Sequence, residues 1–90
     1  MNGYSIMYEG SIEEQTKGID RAVLGRIQRK IEAMALKASG MKHQALRGKE
    51  YRHHYKLRVG DFRVVYLVSH SDRSVTVRQI AHRSKIYKER

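Results

Sequence analysis

The sequence predicts an α+β fold in the order β-α-α-β-β-β, and three observations carry that expectation. The first forty residues hold one alternating stretch followed by two segments with helix-opening or helix-periodic signals. Residues 51 to 82 alternate apolar and polar side chains across two tight-turn signals. Across all 90 residues there is no proline, no low-complexity segment and no repeat, so no linker is expected and residues 1–90 form one domain around one core.

In "YSIMY" (4 to 8), Tyr4, Ile6 and Tyr8 alternate with Ser5 and Met7, which predicts a short first strand. Ser11 is followed three residues later by Glu14, the pattern of a capping box opening a helix, and Gly18 is expected to close it. Asp20 is the candidate N-cap of a longer helix. From there Val23, Leu24, Ile27, Ile31, Met34 and Ala35 recur at spacings of three and four, while Arg21, Arg26, Gln28, Arg29 and Glu32 fall mostly on the other side. That stripe reads as core, with Gly40 as the stop. "MKHQALRGKE" (41 to 50) reads as a loop. Three strands are then expected at 51–59, 62–69 and 74–82. Gly60-Asp61 is a two-residue type II′ hairpin turn between the first two, and a tight connection centred on Ser71-Asp72 joins the last two. The closing "HRSKIYKER" reads as a short tail.

Composition bounds the chemistry. With no cysteine, disulfides, thiolate catalysis and Cys-based zinc sites are excluded, and the reducing cytoplasm is the expected compartment. No secretory leader or membrane span is expected, because the first basic residue is Lys17 and the longest apolar run is Val64 to Val68. The formal charge of +10 is unevenly placed: residues 1–36 hold five basic and five acidic side chains, residues 37–90 fourteen and four. A cationic surface can serve solubility alone, but this asymmetry points to a polyanionic partner.

Register decides where those cations go. If Gly60-Asp61 is the turn, Val59 faces Phe62, Leu57 faces Val64, Tyr55 faces Tyr66, Arg58 faces Arg63 and Lys56 faces Val65. Period two then puts Tyr51, His53, Tyr55, Leu57, Val59, Phe62, Val64, Tyr66, Val68, Val75 and Val77 on a core face. Arg52, His54, Lys56, Arg58, Arg63, Val65, Leu67, Thr76, Arg78, Ile80 and His82 take the opposite face. Like charges directly across a ladder destabilise a sheet. Arg58 opposite Arg63 is therefore a cost that a bound phosphate would remove, and the face suits a nucleic-acid backbone more than a protein. His53 is expected to point to the core, and His43 and His70 fall in loops. With no His-x₃-His helix and no nearby carboxylate set, neither a metal site nor a cofactor is expected.

"LRVGDFRVVY" (57 to 66) and "AHRSKIY" (81 to 87) resemble the "LRxGdyRviY" hairpin and C-terminal "HRxxvY" of the RelE/ParE superfamily of bacterial toxins, specifically its RelE-like branch. The likeness extends over nearly the whole chain, including the "LRG" at 46 to 48. It implies a twisted, mainly antiparallel sheet packed on a two-helix hairpin. It also implies an endoribonuclease that cuts messenger RNA in the ribosomal A site, and an acidic, RelB-like antitoxin that blocks it in a hetero-oligomer.

By this resemblance Arg63 stabilises charge on the phosphorane. Lys56 and His54 sit where the family often has lysines, and either is a candidate base; His54 is also a candidate acid. His82 and Arg83 match "HR", and one of them protonates the leaving group or steadies the phosphate. Tyr87 matches the terminal tyrosine, which stacks a base or transfers a proton. Arg52, Arg58, Arg78, Lys85 and Lys88 would bind the RNA backbone. Two departures, Ala81 in place of an arginine and His54 in place of a lysine, bear on rate and cleavage preference. The alternative is a ParE-like inhibitor that binds DNA gyrase and catalyses nothing, since one fold serves both.

Overall fold

The computed structural model describes residues 3–46 and 53–86. Strand β1 (Ser5–Tyr8) leads into a one-turn helix α1 (Ile12–Gln15) and the long helix α2 (Arg21–Leu36). Strands β2 (Gln44–Ala45), β3 (His54–Val59), β4 (Phe62–Ser69) and β5 (Ser74–His82) follow. The sheet order is β1-β5-β4-β3-β2, with β1 parallel to β5 and every other pair antiparallel. This is the expected α+β architecture with one addition: β2, within the segment read as a loop, lies along β3 opposite Lys56 and Tyr55.

Helix α2 forms because its apolar positions recur every three to four residues. Ile27, Ile31, Met34 and Ala35 are buried, and with Ala38 they pack against Val59, Val64, Tyr66, Val75, Val77 and Ile80 of the sheet. The helix stops at Leu36, short of Gly40. Carbonyls at and just past its end are claimed from outside: the Tyr4 N–H donates to Ala35 O at 2.9 Å, and His43 Nε2 donates to Ala38 O at 2.9 Å. Asp20 holds the N-cap position without a side-chain bond, although its carbonyl accepts from the Leu24 N–H at 2.9 Å.

The capping box does not form. Ser11 has helical dihedrals (φ −74°, ψ −9°) and makes no cap bond; its Oγ instead accepts from Gln15 Nε2 at 3.1 Å. The helix ends at Gln15 rather than at Gly18, where the Thr16 hydroxyl donates back to Ile12 O at 2.9 Å. Gln15 has a larger task. Its Oε1 accepts from the Ile80 N–H at 2.9 Å and its Nε2 donates to Arg78 O at 3.3 Å. One side-chain amide thus stands in for a strand neighbour where β1 has ended.

The β3–β4 hairpin has the expected register, with Arg58 opposite Arg63. Gly60 takes φ +59°, as the first central position of a type II′ turn requires. The β4–β5 connection is centred on Ser71-Asp72 but is longer than a two-residue turn: pairing ends at Ser69↔Ser74, and Arg73 adopts φ +54°. Beyond it a bulge intervenes. Tyr66 pairs with Val77 but Val65 pairs with Gln79, so Arg78 is the extra residue.

The bulge corrects the predicted faces. Ile80 pairs with Val64 and is 2 % exposed in the core, and His82 pairs with Phe62, so both lie on the helix side and not among the cations. His53 also departs from expectation, being exposed at φ +65° just before β3 instead of facing the core.

Candidate nucleic-acid interface

The outer face of the sheet collects its cations from three strands. His54, Lys56 and Arg58 come from β3, Arg63 from β4, and Arg78 from the β5 bulge. Beneath them Val65 is only 1 % exposed, yet it belongs to this face and not to the helix-side cluster; Ile86, 3 % exposed, is likewise buried outside that cluster. Val65 thus gives the face a buried apolar floor. The tail turns back after β5, with the Lys85 and Ile86 N–H groups donating to His82 O at 2.8 and 3.0 Å.

The hairpin turn organises two arginines. Arg63 Nη1 donates to Gly60 O and to Phe62 O, both at 2.9 Å, which ties the guanidinium to the turn and partly offsets its opposition to Arg58. Arg83 is held next to it: its N–H donates to Asp61 O at 2.7 Å, and its Nε lies 3.5 Å from Asp61 Oδ1. Arg63 makes no ion pair with a described aspartate, and Asp61 turns to Arg83 instead. Both members of that ion pair are well exposed, so it aims the side chain more than it stabilises the fold.

At the other end, Arg78 Nε lies 3.2 Å from Glu9 Oε2, and its Nη1 approaches His54 Nε2 at 3.4 Å. A guanidinium only donates, so His54 Nε2 accepts and the imidazole proton resides on Nδ1. His82 is arranged differently. Its Nδ1 accepts the Ser84 N–H at 3.1 Å and contacts Ser84 Oγ at 2.9 Å, while its ring meets Phe62 edge-on at 5.5 Å.

The structure thus brings His54, Lys56, Arg58, Arg63 and Arg78 to one face, sets Arg83 at the turn beside it and leaves Lys85 exposed in the tail. His82 is not with them. Tyr87, Arg52 and Lys88 lie outside the described residues, as does Tyr51. Three supporting residues had no signal in the sequence reading: Asp61 and Glu9, which aim Arg83 and Arg78, and Gln15, which holds the bulge. Among the described residues, no three His, Asp or Glu side chains are grouped so as to hold a metal ion.

His43, read as a loop residue, is a packing element. Its Nε2 donates to Ala38 O, so its Nδ1, 2.7 Å from Tyr66 Oη, accepts from that hydroxyl, and its ring packs against Tyr55 and Tyr66. Burial, and to a lesser degree Tyr55, pushes the Tyr66 phenol from 10.0 up to about 12. A raised phenol pKa means that the fold favours the neutral form. That contribution is complete below pH 10.0 and is lost as pH rises through about 12. Tyr66→Phe is expected to remove this alkaline loss, while costing about 1 kcal/mol at neutral pH through the unpaired His43 nitrogen. Urea unfolding of both proteins across the alkaline range checks it; parallel stability curves would refute the assignment.

A two-layer α+β chain, with a helix pair on one side of a five-stranded sheet and arginines gathered on the other, is the architecture of small toxins of bacterial toxin–antitoxin systems. A family model for the ParE toxin of the type II toxin-antitoxin system parDE matches residues 6–87. The chain belongs to that family, within the RelE/ParE superfamily, and is a type II toxin. Among the solved structures that share its fold are three from this group. The toxin-antitoxin complex RelBE2 from Mycobacterium tuberculosis matches with a TM-score of 0.79 at 14% identity, covering 94% of this chain and 97% of that one. The isolated E. coli RelE toxin gives 0.71 at 20%, covering 93% and 90%. The archaeal RelE-RelB complex from Pyrococcus horikoshii gives 0.73 at 18%, covering 94% and 99%. No curated protein matches the sequence significantly. No described helix is long and apolar enough to cross a membrane.

Proposed function

We propose that this toxin is an endoribonuclease that cuts messenger RNA on the ribosome by attack of a ribose 2′-hydroxyl on the adjacent phosphate, a route that needs no metal. The observation that supports it most is the opposition of Arg58 and Arg63, only partly offset by the turn carbonyls, on a face already crowded with His54, Lys56 and Arg78. In the proposed reaction a base removes the 2′-hydroxyl proton, the 2′-oxygen bonds to phosphorus, and the 5′-oxygen leaves with a proton. His54 and Lys56 are the bases in reach, and Arg63, fixed by two turn carbonyls, meets the phosphorane charge. Arg83, held beside Arg63, suits the leaving-group side better than His82, whose ring is on the opposite side of the sheet. Tyr87 keeps its proposed role as a stacking or proton-transfer group, and Arg52, Lys85 and Lys88 extend the backbone contacts.

An acidic RelB-like antitoxin would neutralise this face in a hetero-oligomer; the M. tuberculosis and P. horikoshii relatives are toxin–antitoxin complexes by their own descriptions. Ribosomes and messages place the activity in the cytoplasm. The match to a ParE model favours a second reading, a non-catalytic DNA gyrase inhibitor. Induced expression separates the two. Transcript ends phased to codons, with plasmid supercoiling unchanged, are the expected result; intact transcripts with DNA damage and altered supercoiling would transfer the assignment to gyrase.

A further inference from the structure

We propose that RNA held on the outer sheet face continues around the exposed edge of β3 onto α2, where Arg26, Lys30 and Lys37 form a second track for its phosphates. The inference rests on the ribonuclease reading and enlarges its footprint. Arg26 and Lys30 lie one turn apart on one flank of α2 and Lys37, its C-cap, follows seven residues on, whereas Glu32, the one acidic residue of the helix, falls on the other flank. All three are exposed, and none makes an ion pair with a described residue. Together they run along about 16 Å of helix.

Position joins this ridge to the face already described. Arg26 Nη1 lies 3.6 Å from where a Cβ on Gly60 would sit, so the ridge begins at the turn that holds Arg63 and Arg83. Lys30 and Lys37 border the same cleft as Leu57 of β3, whose chain neighbours Lys56 and Arg58 point the other way. Strand β2 covers β3 only opposite Tyr55 and Lys56, which leaves the Arg58 end of that edge without a strand partner among the described residues. Cations thus line both sides of an open strand edge. A protein partner would need apolar anchors at the centre of such a surface; here Met34 is buried at 3 % exposure, Met41 and Leu57 are partly buried, and Ala33 is small.

The test compares two double variants of equal charge, Lys30→Gln/Lys37→Gln and Lys17→Gln/Arg21→Gln, binding 2′-O-methyl RNAs of about six and about sixteen nucleotides. The methylated strand lacks the attacking hydroxyl and stays whole. For the longer RNA, Lys30→Gln/Lys37→Gln should reduce the slope of log affinity against log salt by about 1.4, an approximately sevenfold smaller loss between 50 and 200 mM. The other variant should leave that slope unchanged, and the shorter RNA should not distinguish the two. Equal slopes for both variants, with steep salt dependence in the parent, would overturn the second track and leave the ribonuclease reading standing. A parent that binds neither RNA would overturn both. Weakened binding of polyglutamate by Lys30→Gln/Lys37→Gln, with the longer RNA unaffected, would give the ridge to an acidic protein and refute the proposal.

Discussion

Arg63→Ala is expected to lower the rate of RNA cleavage on ribosome-bound message by about 10²–10³, the usual consequence of removing one preorganised transition-state donor. The fold should be nearly unaffected, because the guanidinium bonds only to two carbonyls of an exposed turn, and antitoxin binding should persist. Arg63→Lys should recover little, since an ammonium keeps the charge but loses the planar fork that can hold turn carbonyls and phosphate together. Single-turnover assays with purified protein measure the effect. Cleavage by Arg63→Ala at the parental rate would remove Arg63 from the chemistry and leave the cationic face as a binding surface only.

Ile80→Ala is expected to destabilise the protein by about 2–5 kcal/mol, the cost of deleting a buried aliphatic side chain and leaving a cavity. For a domain whose total stability is of order 5–15 kcal/mol this is a large fraction. The experiment discriminates sharply because period-two reading puts Ile80 among the cations, where the same change would cost well under 1 kcal/mol. Denaturant unfolding reports the difference, and a shift in midpoint of only a few tenths of a kcal/mol would restore Ile80 to the outer face.

Ile80 also shows where sequence periodicity stops being informative. The stripe of α2, the Gly60 turn and the pairing of Arg58 with Arg63 were all legible, because each is dictated by neighbours close in the chain: helical spacing, a glycine that tolerates positive φ, and the parity of a short turn. That parity placed His54, Lys56 and Arg63 correctly on one face. The bulge at Arg78 had no local signature. Its backbone is held by Gln15, from a helix far away in sequence, and no alternation pattern announces an extra residue. His82 was misplaced for the same reason. The roles of His43 and Asp61 were not legible because their partners, the Tyr66 hydroxyl and the Arg83 guanidinium, become neighbours only after the strands have paired.

The parallel pairing of β1 with β5 joins Ser5–Tyr8 to Ser74–Val77, a far longer separation along the chain than any other strand pair spans. Strand β1 has no sheet partner until β5 is in place, and closing so long a loop is entropically costly and slow. The β3–β4–β5 meander, by contrast, needs only local contacts. Refolding is therefore expected to gather the arginines of the hairpin early and to seal the sheet late.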